Sequence, residues 1–245
     1  MLSSANIETG TSRTFPRLVQ RTPGRAVEAC FAEVPSRQLR ANEPLFAEGD
    51  AKTGMYQVEA GAVLIYKILS DGLRQIVNFA FPGDIIGLDA SHHYTYDAQT
   101  IAPTRVRSLS CATLWRRAED DPAIARELFE ILSREVSDTR EHLLTIGRLN
   151  ATGRIANLLM ALSRRNERKG LDALNLLLPL RRSDMADFLC LSVETVSRSL
   201  TELKLAGIVS LRGWRQIKLV NRNALQRLAT GETRIEDETP ARRAA

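Results

Sequence analysis

The chain has 245 residues, 44% of them hydrophobic and 26% charged, with 34 Lys and Arg against 29 Asp and Glu for a formal charge of +5. That is enough apolar material for a packed core and excludes wholesale disorder, while the mild positive balance permits a polyanionic partner without requiring one. No apolar run reaches the roughly eighteen residues that a membrane-spanning helix needs, so no membrane partner is expected.

The N-terminal stretch Met1–Thr14 is polar and lacks the apolar segment of a secretory signal. Residues 1–24 read as a flexible tail, followed by a short helix over Arg25–Phe31. The cysteines Cys30, Cys111 and Cys190 are odd in number and far apart, the pattern of reduced thiols in a cytoplasmic protein, and no pair has metal-ligand spacing. From Leu45 to about Arg107 short strands alternate with turns. Ser70-Asp71-Gly72 is a hairpin signal because Asp-Gly tolerates positive φ at both turn positions, and Phe81-Pro82-Gly83-Asp84 is a second turn. Residues 25–120 thus read as a small antiparallel jelly roll.

The pattern then becomes helical. Asp121 is placed to cap a helix with Pro122 in its first turn. Ile124, Leu128, Ile131 and Leu132 form a stripe that returns at Leu143, Ile146 and Leu149, interrupted by the polar Ser137–His142. Such a helix, over 121–149, either pairs with its twin across a dimer axis or packs on its own jelly roll. Asn150-Ala151-Thr152-Gly153 marks a hinge and a new cap. Residues 150–230 form the second domain, with a helix from Arg154, a short strand near Leu174–Leu178, and a charged tail over 231–245 that is expected to fray.

Within that domain, Ser183 is placed to cap a helix whose inner face is Met185, Ala186 and Leu189. Ser192 is placed to cap a second one buried through Val196, Leu200 and Leu203. Val193, Glu194, Ser197 and Arg198 are left facing outward. A guanidinium donates two hydrogen bonds to guanine, and a carboxylate accepts from cytosine. Glu194 and Arg198 stand at i, i+4, so they are expected to hold each other in register. Thr195 and Ser199 are expected to reach phosphates. Spacing alone also fits an ordinary helical hairpin. What favours a helix-turn-helix is the basic hairpin that follows, Arg212-Gly213-Trp214-Arg215 between apolar strands, with Arg212 and Arg215 at the tip of a wing.

These residues, with Phe188-Leu189-Cys190-Leu191-Ser192 before them and Asn221–Leu225 after, resemble the DNA-binding domain of the CRP/FNR superfamily of bacterial regulators. Upstream, Leu45–Asp50, Gly61 and Phe81–Gly87 are similar to its cyclic-nucleotide-binding jelly roll. The resemblance covers about Leu45 to Leu228. It implies an α+β protein: an N-terminal double-stranded β-barrel, a long dimerisation helix and a C-terminal winged helix-turn-helix. It also implies a homodimer bound to double-stranded DNA and in contact with RNA polymerase.

The superfamily's cyclic-AMP receptors hold ribose with a Glu after a Gly, and phosphate with an Arg-Ser pair. Here Leu88 follows Gly87, and Tyr96-Asp97 stand at the Arg-Ser place, so cyclic-nucleotide control is not expected. The superfamily's oxygen sensors hold an iron–sulfur cluster with four thiolates, three of them near the N-terminus; only Cys30 and Cys111 lie in this half, too few and badly spaced. A haem or nitric-oxide sensor is an alternative through His92-His93, read as lying in the barrel, with Tyr94, Tyr96 and His142. A remote one is a cupin-type metal enzyme, which needs a His-x-His pair and a Glu that are missing here. No cofactor is therefore expected, and the protein is not read as an enzyme. Val193, where the FNR and FixK-like branches carry an apolar residue, points to the FixK-like branch and a TTGA-N6-TCAA-type palindrome. Cys190, in the turn between the helices, reads either as a buried space-filling thiol or as an oxidation-sensitive switch beside the DNA.

Overall fold

A computed structural model describes residues 24–89, 91–213 and 215–238. The expected N-terminal tail up to residue 23 and residues 239–245 lie outside it.

The N-terminal half starts with α1 (Arg25–Ala32) and continues through β1 (Ser36–Leu39), β2 (Pro44–Phe46), β3 (Met55–Ala60), β4 (Val63–Ile68), β5 (Arg74–Ala80), β6 (Ile85–Ile86), β7 (Asp97–Thr100) and β8 (Thr104–Leu109). Among the described residues these strands form two antiparallel four-stranded sheets, ordered β1-β8-β3-β6 and β2-β7-β4-β5. They are two facing sheets and not one closed barrel. Tyr56, Val58 and Val106 from the first meet Phe46, Val63, Ile65 and Ala98 from the second in one buried cluster. Successive side chains point to opposite faces, so β3 gives Tyr56 and Val58 to this cluster and β4 gives Val63 and Ile65, while Met55 and Leu64 are buried on the other face.

Of the two expected turns the first differs in detail and the second forms as expected. In the β4–β5 hairpin only Gly72 has positive φ (80°); Asp71 does not. The Gly72 amide donates to Leu69 O (2.9 Å), and Asp71 Oδ1 accepts from the Leu73 amide (2.9 Å). Ser70 and Asp71 thus sit in an ordinary β-turn that is closed by a left-handed glycine, so the loop is one residue longer than an Asp-Gly two-residue turn. In the second turn Pro82 precedes Gly83 at φ 92°, and the Asp84 amide donates back to Phe81 O (2.9 Å), as a type II turn requires.

Next come α2 (Cys111–Asp120) and α3 (Pro122–Arg148). Helix α2 was not foreseen; its signal is Ser110, whose hydroxyl accepts from the Thr113 amide (3.1 Å). Asp121 caps α3 through the Ala123 amide (2.9 Å), with Pro122 in the first turn as expected. The early turns of α3 bury Ile124, Leu128 and Ile131 against α1, β3, β6, β8 and α2. The same helix leaves Phe129 72%, Val136 49% and Leu143 72% exposed on another face.

The C-terminal half comprises α4 (Ala151–Arg168), β9 (Asn175–Leu177), α5 (Arg182–Leu189), α6 (Val193–Leu205), β10 (Val209–Arg212), β11 (Gln216–Leu219), α7 (Arg222–Thr230) and α8 (Ile235–Glu238). Asn150 caps α4 through the Gly153 amide (2.8 Å). Strands β10, β11 and β9 form an antiparallel sheet in that order. The expectation of a frayed tail from residue 231 is corrected as far as residue 238. Glu238 is buried and takes a two-pronged ion pair from Arg227, at 2.8 Å on each oxygen. A planar guanidinium matches a carboxylate in this geometry.

The halves share one core. Leu64, Ile76, Phe79 and Phe81 of the jelly roll belong to the same buried cluster as α4, α5, α6 and α7. Around it, Arg74 reaches Asp184 (2.9 Å) and Asp187 (2.7 Å) on α5, and the Phe79 and Phe188 rings lie 5.0 Å apart. The β4–β5 hairpin is therefore bolted to the first helix of the candidate DNA-binding motif.

Candidate nucleic-acid interface

Helix α5 is not capped by Ser183, as spacing suggested. Asp184, one residue later, accepts from the Arg181 amide (2.9 Å), and its other oxygen receives Arg74. A carboxylate in the first helical turn gains from the helix dipole and from a cation at once, which a hydroxyl cannot match. The chain leaves α5 through Cys190 at φ 53°, a left-handed conformation more usual for Gly, and the Leu191 amide returns to Ala186 O (3.0 Å). Ser192 then caps α6, accepting from the Thr195 amide (3.1 Å).

Helix α6 is anchored by Val196, Leu200 and Leu203, which are fully buried. This leaves Ser192, Val193, Glu194, Ser197 and Arg198 exposed, with Thr195 half-buried. Two sequence expectations fail. Ser199 is only 2% exposed, so it packs inside and cannot touch a phosphate; it lies three residues beyond Val196, on the buried stripe. Glu194 does not pair with Arg198. Its carboxylate is held below the usual range by its own backbone amide first and the Ser192 hydroxyl second. The unpaired amides at a helix N-terminus are nearer and fixed, whereas an exposed i, i+4 ion pair gives only a few tenths of a kcal/mol.

The wing follows in register. Val209 faces Leu219 and Arg212 faces Gln216, so Arg212 and Arg215 stand exposed on either side of the hairpin tip. Residue Trp214 is outside the described residues. Sequence reasoning missed Arg154, which fixes the whole motif. Its guanidinium donates to Ile146 O (2.7 Å) and Leu149 O (3.0 Å) at the end of α3, and to Leu189 O (3.0 Å) at the end of α5. One side chain thus satisfies carbonyls left over at two helix C-termini. Local spacing does not signal the bond to α5, because Leu189 is 35 residues away in sequence.

His142 of α3 also reaches the motif, stacking on Phe188 with ring centroids 4.3 Å apart. Burial lowers its pKa from 6.5; a backbone hydrogen bond with Phe188 opposes this, and the Arg154 charge adds to it. The folded state therefore disfavours the imidazolium. The contact stabilises fully above pH 6.5, and stability is lost as pH falls from there towards the lower folded value. His142→Phe keeps the stack but removes the titration. It is expected to flatten the fall in Tm between pH 7.5 and 5.5, measured by circular dichroism.

Cys190 is exposed, with Sγ 3.8 Å from Gln75 Oε1, so the buried space-filling reading of this thiol does not hold. His92 and His93 are exposed on a loop beside β7 and not enclosed in the jelly roll. No group of three His, Cys, Asp or Glu side chains suited to a metal is present among the described residues.

The jelly roll does enclose a cavity of about 180 Å³ beside Gly87 and Leu88. Its mouth carries Asp89 and Glu135, and neither Lys nor Arg lines it. Tyr94 fills its wall, stacked on Phe46 at 3.8 Å and donating its hydroxyl to Gly54 O (2.8 Å). Burial pushes the Tyr94 pKa up to about 12, which keeps it a neutral donor. Asp97 Oδ1 accepts from the Glu48 amide (3.1 Å), so at the place of the phosphate-binding Arg-Ser pair stand Tyr96 and a carboxylate that ties down a loop. The cavity is smaller than usual ligand pockets and presents no guanidinium or ammonium group to a cyclic phosphate. The cyclic nucleotide that this fold accommodates elsewhere does not fit these residues.

Two family models match: the cyclic nucleotide-binding domain over residues 36–121 and the Crp-like helix-turn-helix domain over residues 153–228. The chain is 36% identical over 188 residues to the nitrogen fixation regulation protein FixK of Azorhizobium caulinodans, covering 76% of each chain. It is 38% identical to FixK of Rhizobium meliloti, over 75% of this chain and 82% of that one. Among solved structures, FixK2 from Bradyrhizobium japonicum superposes with a TM-score of 0.75 at 37% identity, over 80% of this chain and 96% of that one. Among the described residues no helix is long and apolar enough to cross a membrane.

Proposed function

The chain belongs to the CRP/FNR superfamily of transcription regulators, and from that premise we propose that it is a FixK-like, cytoplasmic activator that reads a TTGA-N6-TCAA-type palindrome as a homodimer. The observation that carries this is the outward face of α6. Exposed Ser197 and Arg198, with apolar Val193 beside them, project from the first turns of a helix whose other side is locked in the core. Arg198 offers a guanine two donors; Val193 offers a thymine methyl an apolar contact; Glu194 offers cytosine an acceptor. Ser192 and Thr195 contact the backbone at the helix N-terminus. Two such helices must lie one DNA turn apart, about 34 Å, to enter successive major grooves.

Control works without cyclic nucleotide, iron–sulfur cluster or haem. A cavity lined by neither Lys nor Arg argues against a bound cyclic phosphate, and activation proceeds by contact with RNA polymerase. The test is a footprint of the purified protein on TTGA-N6-TCAA DNA, with and without cyclic AMP. Protection that is identical in both arms is expected. Protection only with cyclic AMP, or none on this sequence over random DNA, overturns the reading.

The wing has a separate role. Arg212→Ala or Arg215→Ala is expected to weaken binding to specific and random DNA alike, and to flatten the dependence of affinity on salt by about one counterion per removed contact. Titrations between 50 and about 200 mM salt measure that slope. Cys190, exposed at the turn before α6, is proposed as an oxidation-sensitive position, since an added sulfinate would bring bulk and negative charge beside phosphate. Cys190→Ser is expected to abolish inhibition of DNA binding by peroxide; unchanged inhibition removes the role.

A further inference from the structure

A second cavity, of about 560 Å³, lies between the two halves of the molecule and is lined by no residue of α6. Phe81 and Pro82 wall it on the jelly-roll side. Leu162 and Arg165 of α4, with Leu177 and Leu178 at β9, wall it on the other. Its size is that of an ordinary small-molecule site.

The cavity is mostly apolar, yet the charged groups that line it share one sign. Arg165, Lys169 and Arg215 line it, and no carboxylate does. The side chain of Arg165 is 7% exposed, and its Nη2 donates to Pro82 O (3.1 Å) and lies 3.4 Å from Asp84. The guanidinium centre is 4.8 Å from the Phe81 ring centroid. Its Nη1, by contrast, is buried without a hydrogen-bond partner. A buried charged donor left unsatisfied is costly, and a structure retains one mainly where something else completes it. At the rim, Leu171 and Leu177 stand 61% and 73% exposed, so apolar surface remains uncovered beside the cationic floor.

We infer that this cleft binds an amphipathic monocarboxylate, its carboxylate against Arg165 with Lys169 and Arg215 near, and its apolar body against Phe81, Leu177 and Leu178. A carboxylate supplies the acceptor that Nη1 lacks, and an aliphatic or aromatic body covers the leucines at the rim. The ligand touches both halves and the wing residue Arg215 at once, so it bears on how the sensor half sits against the DNA-binding half. The inference is independent of the DNA sequence proposed above, and its test uses no DNA.

Decanoate, below its micellar concentration, is titrated into the full-length protein by isothermal calorimetry, with decanol and inorganic phosphate as controls. Saturable binding of one decanoate per chain is expected, with decanol about tenfold weaker or worse and phosphate weaker still. Leu177→Glu alters an exposed rim residue and is expected to weaken decanoate about tenfold by repulsion, with an unchanged melting temperature. Arg165→Gln is expected to weaken decanoate likewise, at a lowered melting temperature because buried Asp84 loses its cation; if it does not fold, Leu177→Glu decides. Equal binding of decanol and decanoate, no saturable heat, stronger binding of phosphate, or undiminished affinity in Leu177→Glu each overturns the site.

Discussion

Arg198→Ala is expected to remove about 1–3 kcal/mol of binding per half-site, and the dimer carries two copies. On the palindrome that amounts to a loss of roughly 30-fold to 10⁴-fold. Random DNA should lose far less, because there the side chain contributes only one charge near phosphate. The loss cannot come from the fold. Arg198 is exposed and its helix is held by Val196, Leu200 and Leu203 on the opposite side, so the melting temperature should barely move. Arg198→Lys separates charge from geometry. An ammonium keeps the charge but cannot present two parallel donors to O6 and N7, so it should restore binding to random DNA without restoring preference at the guanine. Competition titrations with sites altered at that base pair measure this. Equal loss on specific and random DNA would remove Arg198 from base reading.

The placement of that side chain shows what a single sequence does and does not carry. The HTH was legible because helix caps and apolar spacing are local: Ser192 caps α6 and Val196, Leu200 and Leu203 bury it. The same rule of three and four should have put Ser199 inside, as it stands three residues beyond Val196; polarity overrode periodicity there. Glu194 was misplaced for another local reason, the proximity of free amides at the helix start, which outcompete a solvated pair. Other features were out of reach. Arg154 reaches the end of α5 across 35 residues of sequence, and Arg74 binds α5 across 110. Such contacts exist only once the fold has brought distant elements together. The jelly roll was legible in its turns and alternation, but not in its division into two sheets, which depends on pairings between non-adjacent strands such as β1 with β8.

The exposed stripe on α3 leads to the other large effect. Phe129, Val136 and Leu143 repeat every seven residues, whereas Ile124, Leu128 and Ile131 of the same helix are already buried within the chain. A helix therefore has two apolar faces, one used and one left to water. A seven-residue repeat is the spacing at which helices wind around each other, so a second copy of α3 is the cover proposed for it. Phe129→Asp tests this at the largest exposed member. It removes roughly 1.5–3 kcal/mol of apolar burial per chain and sets a charge in the seam, both counted twice in a symmetric dimer. Dimer dissociation should strengthen by at least about 10²-fold. Sedimentation equilibrium should move from twice 27.3 kDa to 27.3 kDa at micromolar concentration, with the monomer still folded since Phe129 touches little within its own chain. Loss of the seam should also cost DNA affinity more than Arg198→Ala does. A monomer forfeits the second half-site altogether, because without a linked partner its binding is no longer intramolecular. Phe129→Leu, which keeps an apolar knob, should remain dimeric. A Phe129→Asp protein that stays dimeric at micromolar concentration would place the dimer contact, and with it the spacing of the two reading helices, on some other surface.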